Sequence, residues 1–248
     1  MSEKNVDFGF KRVKKSEKPG LVNRVFSGVA GKYDVMNDVM SVGIHRVWKD
    51  FMLDWIAPRS GQTLLDVAGG TGDIAMRFID RCEGYANAIV ADFTEEMIFF
   101  GKSKSQDYEY CSQLDWLCAD AMNLPVSDEI CDVYTISFGL RNVADLEVSL
   151  REAYRVLKQG GRIMILEFST PKDKNIQWLY DKYSFDIIPF MGKLVAKDSE
   201  SYRYLVESIR KFPKQNELAN KMKTAGFRNV KYRNLSLGIV ALHSGWKI

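Results

Sequence analysis

The sequence predicts an α/β protein built on a mostly parallel sheet, with helices on both faces. Three observations predict it. Short apolar runs of strand type alternate with helical patterns, the signature of parallel strands joined by crossover helices. A glycine-rich turn directly follows the first of these runs. The last two runs are joined by a short turn, so the C-terminal edge should be antiparallel.

The elements follow in chain order. Residues 1–20 are polar, with Lys11, Arg12, Lys14, Lys15 and Lys18 clustered, and read as a flexible basic arm. Such an arm is either solvated or held against anionic lipid headgroups. Residues 21–248 read as a single domain. Within it, 21–60 should form a helical lid, since Val25, Val29, Tyr33 and Met36, then Val47, Phe51 and Trp55, recur at helical spacing. Thr63 to Ala68 is the first strand, and a helix runs on from the glycine turn to Arg81. The second strand, Ala88 to Ala91, ends at Asp92, and Thr94 stands where a helix N-cap belongs. Leu114 to Cys118 and Asp132 to Ser137 supply the third and fourth strands. A helix over 145–157, capped by Gly160 and Gly161, precedes a fifth strand from Arg162 to Phe168. Residues 172–212 break the rhythm with Trp178, Tyr180, Tyr183, Phe185, Phe190, Tyr202, Tyr204 and Phe212. They read as core packing or as a substrate-side insertion with an apolar channel. A helix near 215–225 and strands at 228–234 and 239–243 complete the chain.

Composition removes several classes. With 248 residues, 46% hydrophobic and 27% charged, the chain is neither disordered, collagenous nor a coiled coil. A net charge of +3 does not argue for nucleic acid. No run reaches the roughly 18 apolar residues of a membrane span. Cys82, Cys111, Cys118 and Cys131 form no C-x-x-C pair, and His45 and His243 are far apart, so no metal site is expected. The cysteines read as reduced thiols, at least two of them in the core. No export or transit signal is visible, so a cytoplasmic location is expected.

Ala68-Gly69-Gly70-Thr71-Gly72-Asp73 occupies the place where open α/β sheets bind ligands. Gly70-x-Gly72-x-x-Ala75, with Asp92 about twenty residues on, formally matches a dinucleotide fingerprint. An acidic strand end serves any adenosine ribose, so the match does not separate NAD from S-adenosylmethionine (SAM). Three features favour SAM. Asp66 and Asp73 bracket the glycines, which suits a cation better than a pyrophosphate. Asp120, after the third strand, suits the exocyclic amine of adenine. The antiparallel ending follows the fifth strand. Together they predict a Rossmann-like, class I SAM-dependent methyltransferase fold with a seven-stranded sheet.

Several runs then resemble a known family, the ubiquinone/menaquinone biosynthesis C-methyltransferases of the UbiE type. They include Phe26 to Ala30, Met36 to Asp38, His45-Arg46 with Trp48-Lys49, and Leu65 to Asp73. Ile136 to Val143, Ser201 to Leu205, Glu207 to Arg210 and His243 to Lys247 extend the resemblance over almost the whole chain from residue 21. Phe93, Thr94 and Gln159 depart from the family pattern, at positions that remove no expected ligand group.

The resemblance implies methyl transfer from SAM to a ring carbon of a polyprenylated quinol, with Thr71, Asp92, Asp120, Ala121 and Ser137 around SAM. Gly70 is added for close backbone approach. It also implies transient contact with the inner face of the cytoplasmic membrane, and homo-oligomers or assemblies with other quinone-biosynthesis enzymes as partners to seek. Arg141 and Asn142 follow the fourth strand and are the candidate catalytic pair. Arg141 would stabilise a phenolate-like oxygen, or else pair with a carboxylate; Asn142 would orient the ring or a water. Arginine stays protonated, so water is preferred as proton carrier. His45 reads as a packed or capping residue before a base. Tyr33 and Asp34 either close over the cofactor or pack in the core. Rival readings are a methyltransferase of another small aromatic or sterol, an NAD-dependent dehydrogenase, and a non-catalytic SAM-binding scaffold.

Overall fold

The structure is a computed structural model. It describes residues 4–27, 38, 41, 43–171, 173, 175, 177, 178, 182 and 199–248, with side chains described from residue 203 in the last stretch. Tyr33, Asp34, Tyr180, Tyr183, Phe185, Phe190 and the Tyr202 side chain, all singled out above, lie outside the described residues.

The chain opens with a hairpin, β1 (Asn5–Phe8) and β2 (Lys11–Lys14), followed by helix α1 (Lys18–Ser27). Helix α2 is His45–Ile56. Then come β3 (Thr63–Val67), α3 (Asp73–Asp80), β4 (Asn87–Asp92), α4 (Glu95–Lys104), β5 (Leu114–Cys118) and β6 (Cys131–Ser137). The second half holds α5 (Leu146–Val156), β7 (Leu157–Phe168), α6 (Ser199–Lys211), α7 (Gln215–Thr224), β8 (Arg228–Leu235) and β9 (Val240–Trp246).

Among the described residues the large sheet has seven strands, in the order β5-β4-β3-β6-β7-β9-β8. Pairings from β5 through β7 are parallel; β9 runs antiparallel to both β7 and β8. This is the expected sheet, with its antiparallel strand at the C-terminal edge. Order reverses at β3, between β4 and β6, which opens a crevice at the carboxyl ends of these strands.

The sheet is covered on both faces, and its central strands are mostly apolar, with Asp66, Thr135 and Glu167 as buried exceptions. Successive side chains alternate sides. Leu64, Met164 and Leu166 join Met52, Leu53 and Phe78 in one core. Leu65, Ile163 and Ile165 join Leu150, Leu218 and Phe227 in the other. Cys82 and Cys131 are buried free thiols, and Cys111 and Cys118 are exposed ones.

Two expectations need correction, and a third holds in position only. The described part of the N-terminal arm carries secondary structure: Gly9, at φ +59°, turns a hairpin whose tip docks on α6. Phe10 N–H donates to Glu207 (3.0 Å), Phe8 stacks on Tyr204, and Lys15 pairs with Asp145 (2.8 Å). Thr94 occupies the N-cap of α4, but its side chain makes no capping bond. A side-chain cap is made at α5, where Asp145 accepts from the N–H groups of Glu147 and Val148. Gly160 and Gly161 lie inside β7 rather than stopping a helix. From Lys158 to Gly161 the strand bulges, with Gly160 at φ +78°, and Lys247, just past β9, holds the bulge through the Leu157 carbonyl, Gly160 N–H and Gly161 carbonyl.

Candidate functional site

The site begins with backbone geometry. Ala68 (φ +51°), Gly70 (φ +57°) and Gly72 (φ +79°) all adopt left-handed conformations in the turn between β3 and α3. Glycine relieves the strain at two of the three. A Cβ on Gly69 would meet Val90 at 2.8 Å and Asp66 at 2.9 Å, so no larger residue fits there without displacement. On the neighbouring strand, Phe138 is also left-handed (φ +57°), and a Cβ on Gly139 would lie 2.3 Å from that of Ala68. Two sharp turns therefore abut at the carboxyl ends of β3 and β6, where the strand order reverses.

They form one wall of a cleft holding about 740 Å³ of empty space. Asp92 stands at its centre, at the end of β4. Gly70 N–H donates to one carboxylate oxygen and Thr94 N–H to the other, both at 2.9 Å. The Thr94 side chain and Phe93 N–H also face the carboxylate, which still borders the cleft. Burial pushes the Asp92 pKa up, against those backbone hydrogen bonds. Asp120 reaches the cleft just past β5 and is oriented by Met122 N–H (2.8 Å). Phe93, Met97 and Phe138 supply apolar walls, and Pro19, Val22 and Phe26 of α1 line it from the N-terminal side.

Beneath the turn lies Asp66. It is buried, accepts from the Thr135 hydroxyl at 2.7 Å, and has its second oxygen unpartnered. Burial pushes its pKa up to about 7, opposed by that hydrogen bond. Asp73 behaves oppositely. Burial works against its ionised form, but ion pairs with Lys49 (2.8 Å) and Arg77 (2.9 Å) hold it down at about 2. Of the two carboxylates that bracket the glycines, Asp73 is paired with cations, whereas Asp66 has no cationic partner among the described residues.

The structure brings Gly70, Asp92, Asp120, Ala121 and Asn142 together on this cleft. Thr71 and Ser137 sit one residue behind lining positions; Thr71 is buried, and the Ser137 hydroxyl points to the Met52 sulfur (3.7 Å). Arg141 departs from the substrate-facing expectation. Its side chain is 4% exposed and its Nη1 pairs with Glu167, itself 1% exposed, at 2.8 Å. Nη1 also donates to the Phe138 carbonyl, and the guanidinium lies over the Phe168 ring. This is the carboxylate-pairing arrangement. Arg141 lines a second cavity, behind the cleft and under the hairpin. His45 is likewise packed: its ring bonds Asp38 at 2.9 Å, its backbone N–H donates to the Ser41 hydroxyl, and burial lowers its pKa.

The sequence reading anticipated the polar groups that line the cleft but missed the apolar walls and the pairing of Glu167 and Tyr204 with the Arg141-Asn142 turn. The one available signal was the density of aromatic residues.

The residues present fit SAM. The Asp92 carboxylate borders the cleft where ribose hydroxyls could reach it, apolar side chains line the space beside it, and among the described residues the Asp66 carboxylate under the turn has no counter-charge. The sequence matches the model of the ubiE/COQ5 methyltransferase family over residues 11–247. The chain belongs to the ubiE/COQ5 methyltransferase family. Within this family, the ubiquinone/menaquinone biosynthesis C-methyltransferase UbiE of Cereibacter sphaeroides is 58% identical over 241 residues, covering 97% of this chain and 96% of that one. Among solved structures, a SAM-dependent methyltransferase from Thermotoga maritima superposes with a TM-score of 0.65 at 19% identity, over 91% of this chain and 99% of that one. The [4+2]-cyclase SpnF superposes at 0.67 with 15% identity, over 91% of this chain and 94% of that one. A methyltransferase and a cyclase thus share this fold, so the fold leaves the chemistry to the site. Family membership makes the chain a methyltransferase, and SAM its implied methyl donor.

Proposed function

We propose that the chain methylates a ring carbon of a polyprenylated quinol in ubiquinone or menaquinone biosynthesis. The observation that carries this reading is the cleft. Carboxylates suited to adenosine stand at the ends of β4 and β5, and Asn142 and Phe138 stand across from them at the end of β6.

Gly70, Asp92, Asp120 and Ala121 hold SAM, which supplies an electrophilic methyl group on a sulfonium. The protein's task is alignment and water exclusion, worth roughly 7–11 kcal/mol. As the ring carbon takes the methyl group, negative charge on the neighbouring ring oxygen is spent. Asn142 lies where it can donate to that oxygen. Arg141, paired with Glu167, holds the turn that presents Asn142 and does not itself reach the ring. The ring carbon afterwards loses its proton to water. The substrate is a membrane lipid, and we infer contact with the inner face of the cytoplasmic membrane through the hairpin.

The experiment is mass spectrometry of lipid extracts from a deletion strain. A precursor one methyl short should accumulate, either demethylmenaquinone or the unmethylated methoxy-benzoquinol. An unchanged quinone pool sinks the reading and returns the choice to another small aromatic or sterol.

A further inference from the structure

We propose that Tyr204 is a positioning residue for methyl transfer, fixing the Asn142 amide so that its N–H groups, and not its carbonyl, face the ring. This rests on the reading of Asn142 as a group that meets the substrate.

An asparagine amide has a broad, two-fold torsional preference, so a neighbour must choose which end faces the cleft. Here the neighbour is the Tyr204 hydroxyl, which donates to Asn142 Oδ1 at 3.0 Å. With Oδ1 turned to the phenol, Nδ2 is left for the cleft. Among the described residues Nδ2 has no protein partner.

Both partners are held. Tyr204 projects from α6 and is 7% exposed. Phe8 stacks on its ring with centroids 4.2 Å apart and planes at 23°. Burial pushes its phenol pKa well above the ordinary range, so it stays a donor. Asn142 closes the short turn after β6, its N–H bonded to the Gly139 carbonyl at 3.0 Å. The preceding residue is tied to Glu167 through both backbone and guanidinium. Tyr204 lines the cavity behind the turn, whereas Asn142 lines the cleft. The phenol therefore acts from behind and touches neither cofactor nor ring. A donor preset toward the ring oxygen favours the ionised quinol, the form whose ring carbon attacks the methyl group.

The test is Tyr204→Phe, which keeps the stack and removes only the hydroxyl. Turnover of a short-tailed quinol should fall about tenfold, the scale of one lost hydrogen bond. SAM affinity should hold within about twofold and the melting temperature should barely move. Asn142→Ala should also be slow, and adding Tyr204→Phe to it should cost nothing more, because the phenol acts only through the amide. Asn142→Asp, which replaces the donors with a carboxylate, should be slower than Asn142→Ala.

Wild-type turnover in Tyr204→Phe, or a loss that multiplies in the double variant, overturns the proposal. So does equal loss of SAM binding and stability, which marks a structural role. Wild-type turnover in Asn142→Ala instead removes the underlying placement of Asn142 at the ring.

Discussion

Asp66 shows how much one atom's surroundings decide. It lies beneath the glycine turn with one oxygen bonded and one orphaned, and its pKa rises to about 7. An unfolded aspartate titrates near 3.9. A raised folded pKa means the fold prefers the neutral form. The resulting penalty is absent below the unfolded pKa, grows as pH rises toward 7, and is then constant. Its ceiling is roughly 4 kcal/mol at 1.36 kcal/mol per pKa unit. Asp66→Asn should therefore gain stability over wild type progressively between about pH 4 and pH 7, then level off. Urea denaturation across that range measures the difference, and a pH-independent difference refutes it. Legibility at this scale was uneven. Gly70, Asp92 and Asp120 were readable because strand ends converge on one crevice in this fold class. Arg141 was not, because its partner Glu167 is 26 residues away. Nothing local says on which side of a tight turn a long side chain falls.

The central strands of the large sheet were legible because their short runs are mostly apolar. The hairpin was not. Its strands are four residues each, mostly polar, and too short to be stable alone. They exist through contacts with α6 and with the Asp145 cap, both distant in sequence. The extension of β7 back to Leu157 is a similar case, since Lys247 provides the bonds. One element junction yields a sharp expectation. Gly139 and Ala68 meet where β6 and β3 end, and a methyl group on Gly139 would lie 2.3 Å from the Ala68 Cβ. Gly139→Ala should cost about 1–3 kcal/mol by overpacking. The strain falls on the two turns that wall the cleft, so SAM affinity should drop with it, by about tenfold. Calorimetric titration beside a melting curve tests this. Full SAM affinity in a folded variant would mean that the junction is looser than drawn.

At the scale of the molecule, no helix among the described residues is long and apolar enough to cross a membrane. The proposed substrate is nonetheless a lipid. The hairpin tip offers Phe10, 54% exposed, beside the exposed Lys11, Arg12 and Lys14. A ring between cations suits an anionic bilayer surface, where each basic residue contributes about 1 kcal/mol. Co-sedimentation with vesicles containing phosphatidylglycerol should be clear for the wild type and fall severalfold when Phe10 and Lys11 are both changed to alanine. Neutral phosphatidylcholine vesicles should bind neither form. Equal binding by wild type and variant would move the contact elsewhere on the surface.

The same hairpin links the two ends of the chain in time. Its tip is bonded across a separation of 197 positions, from Phe10 to Glu207, and α1 behind it lines the cleft. A ribosome makes this strap long before its anchor. The central strands can pair while the strap still has nothing to hold, and closing so long a loop is an entropic cost met late. A nascent chain thus has the floor of its cofactor site well before it has the roof.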